Sequence, residues 1–207
     1  MLDDNPFSSL NLVGGRRSLN FANTMDAYDP PIGEMLHGYD DLVWWALHAG
    51  VLDEEDALPL FERARREPEA AAAVFARAVR LREAIFRVLA AASRAEAMPE
   101  EHLDVVNAEL AVALRHLRVR PENVQCGWVW EPADELDRVI WPLVRDAADL
   151  LVSGELIRVG KCEGEECDWM YLDTSRNRSR RWCDMASCGN RAKAKRHYHR
   201  AKSGAGD

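Results

Sequence analysis

Four of the five cysteines of this chain fall within 27 residues, and their spacing constrains the fold more than any other feature. Cys162 and Cys167 form one pair, Cys183 and Cys188 form a second, and four residues separate the cysteines of each pair. Two such turns can point four thiolates at one centre, which is the tetrahedral set that zinc binds at about 2.3 Å. Four sulfur ligands leave no open coordination position. The pattern therefore predicts one structural zinc ion and no catalytic metal.

Spacing alone leaves three other states open: four reduced thiols, a disulfide-bonded pair and an iron–sulfur cluster. The chain begins MLDDNPFSSLNLVGG, with no basic segment followed by an apolar one, so we expect no secretory signal and a cytoplasmic protein. Clustered cysteines in a cytosolic protein are more often metal ligands than disulfides. The charged neighbours disfavour an iron–sulfur cluster, which needs a sheltering apolar shell.

Charge is distributed unevenly along the 207 residues. The net charge is −8, but the segment from Thr174 to Lys202 holds ten Lys and Arg and one acid, a local charge of +9. Residues 1–173 then carry −16. A basic piece attached to an acidic body indicates that one part of the chain binds a polyanion such as nucleic acid. A solvated charged tail, or docking of the basic piece onto the acidic body, are the alternatives.

The basic piece divides into a loop and a helix. The loop 174–182 alternates arginines with Ser, Thr and Asn, which suits bidentate and neutral contacts to phosphates. Gly189 allows a turn, Asn190 is predicted to cap a helix, and the helix over 191–200 is cationic on nearly every face. The predicted nucleic-acid contacts are Arg176, Arg178, Arg180, Arg181, Arg191, Lys193, Lys195, Arg196 and His197.

Hydrophobic periodicity predicts a mostly helical body with a small β component. We expect helices over about 18–28, 40–49, 53–66, 68–97, 99–117 and 134–153, a β-hairpin over 117–131 and a strand over 156–159. Ser18, Asp40 and Asp53 are the expected N-caps, and Pro142 predicts a kink or two shorter helices. Apolar runs are far shorter than the about 20 residues that a membrane helix needs, so no membrane partner is expected.

The sequence carries no motif of a catalytic site. A Gly-rich phosphate loop, HExxH and GxSxG are all absent from it, so we expect no enzyme. Cys126, on the predicted hairpin, is expected to be a buried small hydrophobe rather than a nucleophile. The tryptophans expected to pack in the core, with a ligand pocket as the alternative, are Trp44, Trp45, Trp128, Trp130 and Trp141.

The segment CEGEECDWMYLDTSRNRSRRWCDMASCGNRAKAKRHYHR resembles the CGNR zinc finger, a bacterial family named for the four residues that stand here at 188–191. The likeness covers about Gly160 to Arg200 and includes all four cysteines. It also includes the basic tail. The resemblance implies a treble-clef-like finger that binds DNA.

The N-terminal part resembles the ABATE domain, to which that finger is usually joined. The matching pieces are the Gly-Gly turn at 14–15 followed by LNFANT, the helix end from Trp44 to Leu52, and IWPL…AADLL at 140–151. The resemblance implies a stress-induced transcription regulator with a ligand-sensing body. Asn20, Asn23 and Thr24 are the candidate ligand contacts, with local backbone fixing as the alternative. Asn20 stands where we expect an acidic residue in that family.

These observations predict an α+β chain, with a helix-dominated body and small β-hairpin over 1–155 and a four-cysteine, treble-clef-like zinc finger over 156–207. The expected function is a zinc-dependent, DNA-binding transcription regulator that responds to stress or to a small-molecule effector, with a homodimer as an expected assembly. The acidic body should regulate the finger without touching DNA, because its charge repels phosphate. The alternatives are an enzyme in the body, or an RNA- or ribosome-associated zinc protein that stacks bases on Trp169, Tyr171, Trp182 and Tyr198.

Overall fold

A computed structural model of the chain describes residues 5–29, 31–131 and 135–203, without the side chains of residues 197 and 199–203. The helices are α1 Arg17–Ala22, α2 Tyr39–His48, α3 Glu54–Arg66, α4 Pro68–Ser93, α5 Glu100–Ala113, α6 Trp141–Val152 and α7 Asn190–Ser203. The strands are β1 Met25–Tyr28, β2 Pro31–Glu34, β3 Leu117–Glu122, β4 Gln125–Trp130, β5 Val159–Lys161 and β6 Met170–Leu172. They pair as three antiparallel hairpins, β1–β2, β3–β4 and β5–β6. The predicted helix-dominated α+β fold is confirmed.

The long helix α4 forms the centre of the core. It begins at Pro68, as predicted, and Leu81, Ile85 and Leu89 recur along one buried stripe at helical spacing. Helices α1, α2, α3, α5 and α6 all contact it. Within the described ranges, no helix is both long and apolar enough to cross a membrane.

Several local helix signals have the predicted effect. Asp53 caps α3 by accepting a hydrogen bond from the Asp56 amide at 2.9 Å. Pro99 immediately precedes α5. Pro142 lies in the first turn of α6, and a separate 3₁₀ turn over Leu136–Val139 precedes that helix. Of the two outcomes expected from Pro142, the structure therefore has two shorter helical pieces; the expected start at residue 134 lies outside the described residues.

The predicted helix over 18–28 is wrong beyond Ala22. The chain turns at Asn23 and enters the β1–β2 hairpin, where Tyr28 is buried and stacks on Phe86 with ring centroids 3.8 Å apart. This tertiary contact outweighs the helical propensity of the segment. Two predicted N-caps are also wrong. Ser18 lies inside α1, where its amide donates to Asp146 of α6, and α2 begins at Tyr39, before Asp40.

The β3–β4 hairpin over Leu117–Trp130 is confirmed, but two side chains that were predicted to be buried there are exposed. Cys126 and Trp128 are exposed, the latter by 64%, so the predictions of a buried cysteine and a core tryptophan are wrong there. The hairpin is two-stranded, and Leu117 and Trp130 at its base pack against the apolar core, whereas the exposed Trp128 ring meets the Arg145 guanidinium of α6. Strand residues beyond that base have no layer to cover them. Trp45 and Trp141, by contrast, are fully buried as predicted.

The β5–β6 hairpin belongs to the core of the body although it lies in the cysteine-rich part of the sequence. Val159, Met170 and Leu172 join the apolar cluster that contains α4. Residues 154–158 form a 3₁₀ turn, so the strand predicted at 156–159 begins only at Val159. The predicted boundary at 155–156 therefore separates two stretches of sequence that share one core.

Candidate metal centre and basic surface

The four predicted ligands come together. The Sγ atoms of Cys162, Cys167, Cys183 and Cys188 all lie within 4.8 Å of one another. The Cys167–Cys183 and Cys183–Cys188 Sγ distances are 3.7 and 3.6 Å. A tetrahedron with zinc–sulfur bonds of about 2.3 Å has edges of about 3.8 Å. The sulfurs are thus spaced as a zinc ion requires, and this donor set fits zinc better than a hard cation.

Each cysteine pair is held by a short turn. In the first turn, Gly164 comes close to the sulfurs, and its amide donates to Cys162 Sγ at 3.4 Å. A side chain on Gly164 would bring its Cβ within 3.3 Å of Cys188 Sγ. In the second turn, the Asp184 carboxylate accepts from the Ala186 amide at 3.1 Å, and the chain passes through Cys188 directly into α7.

The thiols of the cluster influence one another's ionisation. Hydrogen bonding with Cys167 and Cys183 lowers the pKa of Cys162, whereas hydrogen bonding with Cys162 raises the pKa of Cys167 to about 12. Such a cluster cannot ionise fully by itself because each new thiolate repels the first. A divalent cation removes that obstacle, since metal-bound thiols are deprotonated. Arg191 adds positive charge, with Nη2 3.3 Å from Cys188 Sγ.

The basic loop is organised around Asp173 and Arg180. The Asp173 carboxylate accepts from the Ser175 and Arg180 amides at 2.8 and 3.0 Å. The Arg180 guanidinium donates to the carbonyls of Val13 and Trp182, each at 3.1 Å, and also to that of Cys183. It stacks over the Tyr171 ring as well. Arg180 was predicted to contact phosphate, but its donors are committed to fixing the loop onto the body.

The other predicted nucleic-acid contacts lie on the surface, apart from His197, whose side chain is outside the described set. The exposed cations are Arg176, Arg178, Arg181, Arg191, Lys193, Lys195 and Arg196. Two of them meet acids of the first cysteine turn: Arg181 Nε lies 2.8 Å from Glu163, and Lys195 pairs with Glu165. Asn190 does not cap α7 as predicted, because its amide donates back to the Ala186 carbonyl at 3.2 Å.

The predicted ligand contacts in the body are structural instead. Asn23 is buried and forms a reciprocal pair with Met170, donating to its carbonyl at 2.8 Å and accepting from its amide at 2.7 Å. Thr24 Oγ1 donates to Phe21 and accepts from Arg82. Asn20 Oδ1 accepts from the Gly14 amide at 2.8 Å. Their polar groups hold backbone and the Arg82 side chain, which agrees with the alternative that these residues fix the local backbone.

Sequence reasoning missed the acids between the first two ligands. Glu163 and Glu165 face the basic surface, and the only signal in the sequence was the run EGEE inside the Cys162–Cys167 turn. It also missed Asp168, which accepts from the Tyr28 amide at 2.8 Å and pairs with Lys161 at 2.5 Å. Nothing in the local sequence indicates that partner, which lies 140 positions away.

Two family sequence models match this chain. The sequence model of the ABATE family, described as "Putative stress-induced transcription regulator", matches residues 15–154. The chain belongs to the ABATE family. The CGNR zinc finger matches residues 158–201, which include the four-cysteine cluster. No curated protein sequence matches the chain. The β5–β6 hairpin that completes the ABATE core therefore lies inside the CGNR match.

Proposed function

We propose that this ABATE protein is a cytoplasmic, zinc-dependent transcription regulator that binds duplex DNA through its CGNR finger and has no catalytic activity. One structural zinc ion is held by Cys162, Cys167, Cys183 and Cys188. The observation that carries the proposal is a set of exposed cations, on α7 and on the 174–182 loop, placed directly beside a four-thiolate centre. Such a surface is suited to phosphate, and the family description supports transcription as the context.

Zinc would supply the cross-link that holds the two cysteine turns together. Side chains of the finger would make the contacts with DNA. Arg176 and Arg178 lie exposed on the loop and can form charge-assisted hydrogen bonds to phosphates. Helix α7 begins immediately after the second cysteine turn, so its cations are fixed relative to the 174–182 loop. The acidic body repels DNA, which limits contact to the finger.

Selection of bound fragments from genomic DNA tests the proposal, using the full chain. A recurring duplex site is expected, with RNA competing less well. If about five cations reach phosphates, log K should fall against log salt with a slope near −4 to −5. A flat salt response would contradict the proposal, and better competition by RNA would favour the RNA-associated alternative. That alternative loses one of its stacking residues, since Tyr171 is buried, but retains the exposed Tyr198.

We also propose that the body regulates the finger. The assigned effector contacts serve the fold, so no effector site is proposed at Asn20, Asn23 or Thr24. The finger is joined to the body by the Asn23–Met170 pair and by a hydrogen bond from the Leu172 amide to Gly14 at 2.8 Å. A conformational change in the ABATE core would be transmitted to the finger through these hydrogen bonds. The homodimer stays a prediction.

A further inference from the structure

A cleft of about 510 Å³ lies between the first cysteine turn and α7. Its acidic wall includes Glu163, Glu165 and Glu166, and Arg181 and Lys195 are among the cations that line it. The cleft therefore brings the finger's own acids and its predicted phosphate contacts into one cavity. Both cations are about half exposed, so solvent and ligand can reach them.

Two ion pairs cross this cleft. Arg181 holds a Glu163 oxygen through both Nε and Nη2, and Lys195 holds a Glu165 oxygen. A carboxylate and a phosphodiester offer the same thing to such cations, an anionic oxygen with free lone pairs. Exposed pairs of this kind are weak, so a phosphate can exchange with the carboxylate at little cost.

We propose that this cleft is a phosphodiester-binding site, and that Glu163 and Glu165 occupy the positions of the phosphate oxygens while the protein is free of DNA. The inference rests on the proposed function, because it names where the DNA backbone meets the finger. Arg191 offsets the negative charge of the zinc–thiolate centre at the floor, which leaves the rim near Arg181 and Lys195 as the place for the phosphate. The carboxylates thus weaken binding to any polyanion that lacks compensating specific contacts.

The exchange has a measurable thermodynamic consequence. When a cation leaves its carboxylate for a phosphate, the phosphate releases a counterion but the freed carboxylate attracts one from solution. The salt dependence of binding is then shallower than the number of contacts would give. Removing the carboxylate charge abolishes that uptake, so the slope should steepen, by less than about one for each pair.

The test compares Glu163→Gln and Glu165→Gln in the full, zinc-loaded chain, with Glu166→Gln as the matched control. Glu166 lies in the same turn and lines the same cleft, but no ion pair joins it to a cation in the described part of the chain. Binding to a random-sequence duplex should tighten roughly twofold to fivefold for each of the first two variants. Glu166→Gln should change affinity less and leave the slope as it is.

A double-mutant cycle separates ion-pair exchange from a general change in charge. In an Arg181→Gln background, Glu163→Gln should lose most of its effect, because no cation remains to be released. Glu165→Gln should retain its full effect there. Equal effects of all three glutamine variants, or additive effects in the cycle, would overturn the inference while leaving DNA binding itself intact.

Dimethyl phosphate distinguishes failure of the site from failure of the proposed function. This probe carries one phosphodiester and no base, and its binding can be followed by NMR signals of the Arg181 and Lys195 side chains. Shifts that grow in the Glu163→Gln, Glu165→Gln double variant would support the cleft even if no duplex DNA bound. Absence of shifts at any probe concentration up to the molar range would overturn it.

Discussion

The two halves of the CGNR finger differ in what they are attached to. The strand half, β5 and β6, is buried in the ABATE core, where Met170 is fully inaccessible to solvent. The helix half, from Cys183 through α7, is exposed over most of its described residues and is tied to the chain by the cysteine cluster. We therefore expect zinc to hold one half, whereas apolar packing holds the other. A family boundary in sequence need not be a boundary in folding.

Two arginines of the same loop show the difference at single-residue scale. Arg180 points inward and donates to backbone carbonyls on both sides of the junction. Arg176, four positions earlier, is exposed. Side chains of one type, close in sequence, can therefore serve the fold and the ligand separately.

The largest expected effect comes from Cys183→Ser, which removes one ligand of the zinc site. Metal binding supplies of the order of 10 kcal/mol of folding free energy in small zinc peptides, so the helix half should lose its structure. The body should keep a cooperative unfolding transition because β5 and β6 remain packed in its core. Elemental analysis and far-ultraviolet circular dichroism measure the two outcomes.

Cys126→Ser is the matched control for that experiment, since Cys126 is exposed on the β3–β4 hairpin and far from the cluster in sequence. It should leave one zinc per chain. Retention of stoichiometric zinc by Cys183→Ser would remove the distinction between the two halves.

Met170→Ala tests the other half, with a loss of about 2–5 kcal/mol in the free energy of unfolding of the whole body. The reason is the cavity left in the ABATE core, although Met170 lies within the CGNR match. Met185→Ala is the control, because Met185 is 65% exposed in the helix half and should change stability by less than about 0.5 kcal/mol. Urea unfolding gives both values. Similar losses in the two variants would mean that the halves are equally attached.

The sequence predicted those parts of the molecule that depend on local or closely spaced residues. The Asp53 cap, the start of α4 at Pro68 and the four-cysteine cluster all follow from neighbours within one segment. The β1 strand could not be predicted in this way, because its contacts with Asp168 and Phe86 join positions that are far apart in the sequence. The hydrogen-bond partners of Asn23 and Arg180 could not be predicted for the same reason: their polar groups meet backbone atoms that sequence periodicity cannot locate.

A comparison of Arg180→Gln with Arg176→Gln should sharpen the contrast between the two arginines. Arg180→Gln should destabilise the protein by about 2 kcal/mol, since charge-assisted bonds to partly buried carbonyls are lost. Arg176→Gln should leave stability nearly unchanged and reduce the magnitude of the salt slope for DNA binding by about one. Chemical unfolding and binding titrations at several salt concentrations check the pair. A stability loss in Arg176→Gln as large as that in Arg180→Gln would show that the loop does not divide its arginines in this way.

The smallest expected effect is on how the free energy of unfolding of the body depends on pH. Burial by itself would raise the pKa of Glu34, but hydrogen bonds from Arg82 and from the Leu36 amide outweigh it and lower the pKa below its usual 4.5. A carboxylate with a lowered pKa in the folded state stabilises the protein above the unfolded value, and this contribution is lost as the pH falls through the folded value. We expect Glu34 to contribute to the loss of stability on acidification below pH 4.5, because its pKa is lowered in the folded state. Glu34→Gln should remove that part of the pH dependence, whereas Glu83→Gln, an exposed acid paired with Arg87, should retain it. Because Arg82 and Glu34 lie in the ABATE core, the difference should be seen in unfolding of the body and not in the midpoint of zinc release. A matching shift in zinc release would mean that the two halves of the finger respond as one unit.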